Sequence, residues 1–477
     1  MPSGITIIGL GPGDSQYWTR WAGTILQQAA EVYVRIMHHP SVADIPARIY
    51  TFDEMNRSAE DTRQIATQVV RLGQRAEGVI YAVPGHPRED ATVPLIRHLA
   101  ATENIPVTIV PGLSLLEAAI SALELDAYPK LQVVAAAEVA RLHHPPLDPD
   151  QPALVPGLSG QPLAAQVKQV LLNAYAPDFS VTLVQGAEPI WSGPLAELDQ
   201  QPQFDESTIL YLPADPANTS LPAFQETIAH LRAPEGCPWD REQTHQSLRP
   251  FLLEETYEVL EALDAADPAA LAEELGDLLL QIVLHTQIAT GAGDFRMGEV
   301  IGHINRKLVR RHPHVFGSVT VNGVADVTAN WEAIKQEERS TRSSEPEASP
   351  SVLDGVPAAL PALAQALAIS KRAVRVGFEW PNIEGVLDKL IEEAREITET
   401  TNPAELESEI GDLLFSAVNL ARWRNVDPES ALRATNARFT RRFKKLETLA
   451  AAQGRVLSQM TIDELDALWD EAKRFEP

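Results

Sequence analysis

Two rhythms of hydrophobic and polar positions divide this chain. Up to Gln185, short β-branched runs alternate with stretches of helical period. Gly4–Leu10, Glu31–Ile36, Gly78–Val83 and Pro106–Val110 read as strands, and Glu60–Arg71, Thr92–Ala101 and Leu115–Leu123 as helices. Leu131–Ala136 and Ser180–Gln185 add two strands of a second lobe, with Leu163–Ala174 as its helix. Strands alternating with helices predict an α/β layered domain with a largely parallel sheet. Beyond it the helical period takes over, and little strand signal remains.

The helical part is built around Phe251–Gln287, where leucines and valines interleave with acids and a break falls at Asp267–Pro268. Two helices joined by a short turn are predicted. Residues three apart share a helix face, so Glu255 projects with Glu258, and Glu274 with Asp277. If the helices fold back on each other, four carboxylates converge, and all-oxygen ligation suits Mg²⁺ or Mn²⁺. A solvated acidic face is the competing reading. The chain itself weighs against it, because Leu390–Arg422 repeats the pattern with Glu393, Glu396, Glu409 and Asp412. PAALAEELGDLLLQIV and PAELESEIGDLLFSAV are one segment written twice.

The repeat continues downstream. Asn305, Lys307 and Arg311 match Asn436, Arg438 and Arg442, and Trp331 and Lys335 match Trp469 and Lys473. Bases four apart share a face; a surface ion-pair stripe and a phosphate contact both fit, and recurrence after the same acidic pattern favours phosphate. Leu212–Pro222 is a Pro/Ala/Ser-rich joint, and Glu338–Ser351 has no apolar period. Domains are therefore expected at 1–212, 222–338 and 352–477.

The length of 477 residues suits about three domains. A net charge of −27 opposes binding to nucleic acid or anionic membranes. A small anion accompanied by its own cation is not opposed. Cys237 is the single cysteine, which excludes an intrachain disulfide and suits a reducing compartment. With neither a basic leader nor a long apolar run, a cytoplasmic protein is expected.

Three turns at strand ends carry a first resemblance. GLGPGD at Gly9–Asp14, YAVPGHP at Tyr81–Pro87 and VPGLS at Val110–Ser114 resemble the tetrapyrrole (corrin/porphyrin) methylases, over roughly residues 1–212. The first turn is not a dinucleotide fingerprint, since Asp14 stands where a third glycine is needed. The resemblance implies S-adenosylmethionine bound by Gly9, Gly11, Gly13, Pro84, Gly85 and His86. It departs at His86, where many methylases carry an acidic residue.

A second resemblance covers about residues 220–477. CPWDREQTHQSL at Cys237–Leu248, the doubled acidic pattern, RRHPHVFG at Arg310–Gly317 and VGFEWPN at Val376–Asn382 are similar to the MazG nucleoside triphosphate pyrophosphohydrolases. That implies cleavage of an NTP to NMP and pyrophosphate with Mg²⁺. Lys307, Arg311, Arg438 and Arg442 would face the phosphates, and Glu254 or Glu392 would be an outer carboxylate. The resemblance also implies an Asn at position 419, where the first copy has Leu284. The second copy is expected to be active, and the first is left open. A homodimer through the helical domains is expected, because one helix–turn–helix buries little core.

Three other classes compete. A di-iron bundle needs Glu-x-x-His on two helices, and no histidine stands at either second place. A methyltransferase with an oligomerising helical appendage, and a nucleotide-sensing module without catalysis, are the remaining alternatives.

Overall fold

The computed structural model describes residues 4–53, 59–126, 130–217, 219–342 and 351–475. Residues 343–350 of the predicted Glu338–Ser351 linker and Asn218 of the predicted joint lie outside the described residues. The chain divides into two compact units, Met1–Glu242 and Gln243–Pro477.

The first unit opens with β1 (Ile5–Gly9), α1 (Arg20–Gln28), β2 (Glu31–Val34), β3 (Arg48–Thr51), α2 (Ala59–Gly73) and β4 (Val79–Val83). It continues through α3 (Thr92–Thr102), β5 (Val107–Val110) and α4 (Leu115–Ala122). The sheet order is β3-β2-β4-β1-β5, and every pairing is parallel. Alternation along β1 explains how the sheet is covered on both faces. Ile5 and Ile7 enter one core with Tyr81 and Val83, while Ile8 and Leu10 enter another with Leu26 and Val34.

The second lobe comprises β6 (Gln132–Val133), α5 (Ala136–Val139), β7 (Ala153–Pro156), α6 (Gln161–Leu171), β8 (Ser180–Gln185), β9 (Glu188–Pro194) and β10 (Thr208–Leu212). Its sheet runs β6-β7-β10-β8-β9 and is antiparallel except for β6 with β7. Helices α7 (Leu221–Leu231) and α8 (Pro238–Glu242) close the unit.

The second unit is helical: α9 (Arg249–Ala265), α10 (Pro268–Ala292), α11 (Met297–Arg311), α12 (Pro313–Phe316) and α13 (Val324–Arg342), then α14 (Ala362–Val374), α15 (Ile383–Glu399), α16 (Pro403–Trp423), α17 (Pro428–Ala452) and α18 (Ile462–Lys473). The predicted turns form by the same physics in both copies. Ala266 takes a left-handed conformation that ends α9, and Asp267 caps α10 by accepting from the N–H groups of Ala269 and Ala270. Asn402 caps α16 through the N–H of Ala404 at 3.1 Å. A proline follows each cap, where its missing N–H costs nothing. No helix among the described residues is long and apolar enough to cross a membrane.

Candidate functional site

The hairpin of α9 and α10 brings carboxylate oxygens of Glu255, Glu274 and Asp277 within 4.8 Å of one another. Glu258, one turn along α9 from Glu255, hydrogen-bonds it and adds negative charge beside Glu274. Burial first, and then these like charges, push the Glu255 and Glu274 carboxyls above their ordinary range. Glu254 adds to the field at Glu255.

The hairpin of α15 and α16 repeats the arrangement with Glu393, Glu396 and Glu409, again within 4.8 Å. Glu393 is 4% exposed and is held by Lys389 at 2.8 Å. Burial and a hydrogen bond with Glu409 raise the Glu396 carboxyl. Asp412 is exposed, one turn beyond Glu409 on the same face of α16. Carboxylates that raise one another's proton affinity will equally favour a cation. Their oxygen-only donor set fits a hard divalent ion.

The predicted bases lie on the helices that follow. Lys307 and Arg311 line a 760 Å³ cleft with His303, Arg306, Arg310 and Glu338, and Glu255, Glu274 and Asp277 lie outside it. Arg311 is already engaged: its Nε and Nη2 donate to Glu338 at 3.2 and 2.5 Å, and Arg310 donates to the same carboxylate. The Arg311 guanidinium holds the Glu338 carboxyl down at about 2. Nearby, the Lys335 ammonium sits 4.1 Å from the centre of the Trp331 ring. In the second copy Arg438 donates to Thr435 at 3.2 Å, and Arg442 lies one turn further along α17. Phe439 between them packs against Phe443 and Trp469.

Asn419 is 2% exposed, and both ends of its amide are used within the protein. Its oxygen accepts from Ser370, and its nitrogen donates to the Phe415 carbonyl at 3.3 Å. Ser370 in turn accepts from Arg422 at 2.8 Å. Arg422 forks onto Glu379 at 2.5 and 2.8 Å, and the Trp423 indole donates to Glu379 at 3.0 Å. Asn419 is thus a node of a buried network on the α16 stem. Sequence reasoning missed its partner Ser370, and missed Glu379 as the partner of Arg422, although Glu379 stands inside the VGFEWPN segment. It missed Glu338 as well, which no local spacing links to Arg311.

In the first unit the three turns meet. Gly11 and Gly85 exchange backbone hydrogen bonds at 3.3 and 2.8 Å, both with positive φ. A Cβ on Gly9 would come within 2.5 Å of the Gly85 carbonyl oxygen and 2.6 Å of the Gly112 nitrogen, so glycine there permits turn-on-turn packing. One on Gly13 would strike the Tyr17 ring at 2.9 Å. His86 builds its own turn: its Nδ1 accepts from the Arg88 N–H at 3.1 Å, and its N–H donates to Glu89. A 420 Å³ cavity lies near the first turn at Tyr17 and is lined further by residues of α4 such as Glu117 and Ser121; Gly9, Gly11, Gly13, Pro84, Gly85 and His86 are not among its described lining residues. A cavity of this size at the carboxyl end of the sheet suits a small organic cofactor.

Comparison with known proteins agrees with this division. Residues 243–316 and 382–446 match the MazG nucleotide pyrophosphohydrolase domain, and residues 4–199 match the tetrapyrrole (corrin/porphyrin) methylases. The chain is 37% identical over its whole length to the uncharacterized protein YabN of Bacillus subtilis, covering 99% of that protein. Its helical part is 47% identical to the nucleoside triphosphate pyrophosphohydrolase/pyrophosphatase MazG of Thermotoga maritima. That match covers 52% of this chain and 95% of the relative. A nucleoside triphosphate pyrophosphohydrolase of Escherichia coli K12 is 43% identical, again over 52% of this chain and 95% of the relative. The chain therefore belongs to the MazG family, with a tetrapyrrole-methylase domain ahead of two MazG domains.

Proposed function

We propose that the protein is an Mg²⁺-dependent nucleoside triphosphate pyrophosphohydrolase that cleaves between the α- and β-phosphates, giving NMP and pyrophosphate. The observation that carries this reading is the doubled carboxylate cluster, with Glu255, Glu274 and Asp277 in one hairpin and Glu393, Glu396 and Glu409 in the other. Each cluster would hold Mg²⁺, or Mn²⁺, with Glu258 and Asp412 completing the sets. The bound ion would neutralise phosphate oxygens and polarise phosphorus.

The chain's own residues supply the rest. Carboxylate oxygens of the cluster not engaged by the ion accept the proton of an attacking water. Lys307 and Arg311 in the first copy, and Arg438 and Arg442 in the second, offset charge on the departing pyrophosphate. Asn419 acts as a positioning residue through Ser370, Arg422 and Glu379. The second copy, which has this network, is read as the more active one. The domain division 1–212, 222–338 and 352–477, and a homodimer joined through the helical domains, belong to the same reading. In the first unit the turns of Gly9, Gly11, Gly13, Pro84, Gly85 and His86 are read as a site for S-adenosylmethionine, supported by the nearby cavity.

The test is pyrophosphate release from a panel of NTPs with Mg²⁺, by the full chain and by Glu255→Ala, Glu393→Ala and the double variant. Glu393→Ala is expected to remove most of the activity, with a loss of about 100-fold or more, and the double variant to remove the rest. An unchanged rate in the double variant overturns the assignment.

A further inference from the structure

Among the buried polar atoms of the first MazG domain that meet no partner among the described residues, two share one helix: Oε1 of Gln281 and Nε2 of His285. Gln281 is 5% exposed, so water does not reach it freely. A buried amide oxygen without a donor is costly to leave unpaired, and such a group calls for an explanation. Both residues lie on α10 in register with the carboxylate cluster. Asp277, Gln281 and His285 are successive positions four apart, so they share one helix face. Gln281 is about 6 Å and His285 about 12 Å along the axis from Asp277, a span of the order of a nucleoside.

His285 is itself held in place. Its Nδ1 lies 2.8 Å from Nδ1 of His245, and the rings are within 7° of parallel. One proton serves that contact, so one of the two Nδ1 atoms donates and the other accepts. Whichever tautomer results, Nε2 is presented as one defined donor or acceptor, next to the Gln281 acceptor. The second domain has no such pair: Ser416 and Leu420 stand at the corresponding places.

We propose that Gln281 and His285 form the nucleobase subsite of the first MazG domain, hydrogen-bonding the edge of the base while the carboxylates serve the phosphates. This rests on the hydrolase reading above and extends it, making the two domains unequal in how they hold a base. His245 is a positioning residue for the subsite.

The experiment uses the full chain carrying Glu393→Ala and Glu396→Ala, so that the first domain alone is read. Binding of the non-hydrolysable α,β-methylene analogue of ATP with Mg²⁺ is measured by calorimetry, beside base-free tripolyphosphate with Mg²⁺. Gln281→Ser and His285→Leu are then introduced together. These are the residues the second domain carries at these positions, and an unchanged helical signal confirms that the variant is folded. The nucleotide analogue is expected to weaken about tenfold or more, while tripolyphosphate binds as before. The subsite is overturned if both ligands weaken alike, if neither changes, or if the parent binds the two equally well. Pyrophosphate release by the unmodified chain is followed separately. Its absence sinks the hydrolase reading, whereas the ratio of the two affinities decides the subsite.

Discussion

Glu338 shows how a single carboxylate can organise a basic face. Among the described residues lining the α11 cleft it is the one acid, with His303, Arg306, Lys307, Arg310 and Arg311. It is also well covered, with 14% of its side chain exposed. Its carboxyl titrates at about 2, against an ordinary 4.5. A folded pKa below the unfolded one means that the pairing stabilises the protein above pH 4.5, and that this contribution is lost as pH falls toward 2. Glu338→Gln should cost about 1 kcal/mol at neutral pH, the upper end for a partly exposed pair. Thermal melts of the two chains across this range check it: the gap between them should close as pH approaches 2, and a constant gap counts against the ion pair. At this scale the six carboxylates that the structure brings together, of the eight expected, were legible because spacing on one helix is visible in sequence. Asn419 was legible as a position but not as a buried node, since its partner Ser370 lies 49 residues away and Glu379, which holds Arg422 in the same network, lies 43 residues from that arginine. The unpaired atoms of Gln281 and His285 were hidden for a related reason, because a missing partner leaves no sequence pattern.

The carboxylate-bearing helices announced themselves more clearly than the strands did. The carboxylate hairpins appear where hydrophobic period and caps agree, with Asp267–Pro268 and Asn402–Pro403 at the same place in each copy. These caps set where the second helix starts, and so which face Glu274 and Asp277, or Glu409 and Asp412, present to the first. Asp267→Ala should destabilise the helical unit by about 1 kcal/mol, and Asp267→Asn by much less, because asparagine retains a capping oxygen. Chemical denaturation of the full chain, followed at a helical band, measures both, and equal losses would exclude the cap as the cause. The strands that sequence reading missed were β3, β7, β9 and β10. Of these, β3 and β9 lie at sheet edges. β9 also contains Pro189, Gly193 and Pro194, and β7 ends at Pro156, residues that normally argue against a strand. β6 was expected as Leu131–Ala136 but pairs only over Gln132 and Val133, at the other edge of its sheet.

For the molecule as a whole, the contrast between the units bears on assembly. The first unit encloses its sheets in cores of fully buried Ile, Leu and Val side chains. In the second, α9 buries Ala262 and α11 buries Met297 among their described residues, while Leu275, Leu279, Ile282, Ile301, Ile304 and Leu308 stay exposed. Apolar side chains left exposed at helical spacing on α10 and again on α11 favour an association site. The two MazG domains of one chain are joined by the Arg433–Asp264 ion pair at 3.3 Å, and these six side chains remain uncovered all the same. Covering the part of each that remains exposed, roughly 0.6–1.5 kcal/mol per side chain in each of two copies, is of the order of an association cost of about 4–15 kcal/mol. A second copy of the chain is the partner this favours, because a two-fold contact presents the same apolar patch from both sides. Sedimentation at micromolar concentration should therefore give twice the 52.2 kDa of one chain. Leu279→Arg with Ile282→Arg should return the single chain with its helical signal intact. If the unmodified protein sediments as one chain, the exposed face is not a dimer interface. If the variant stays dimeric, the contact lies elsewhere on the helical unit.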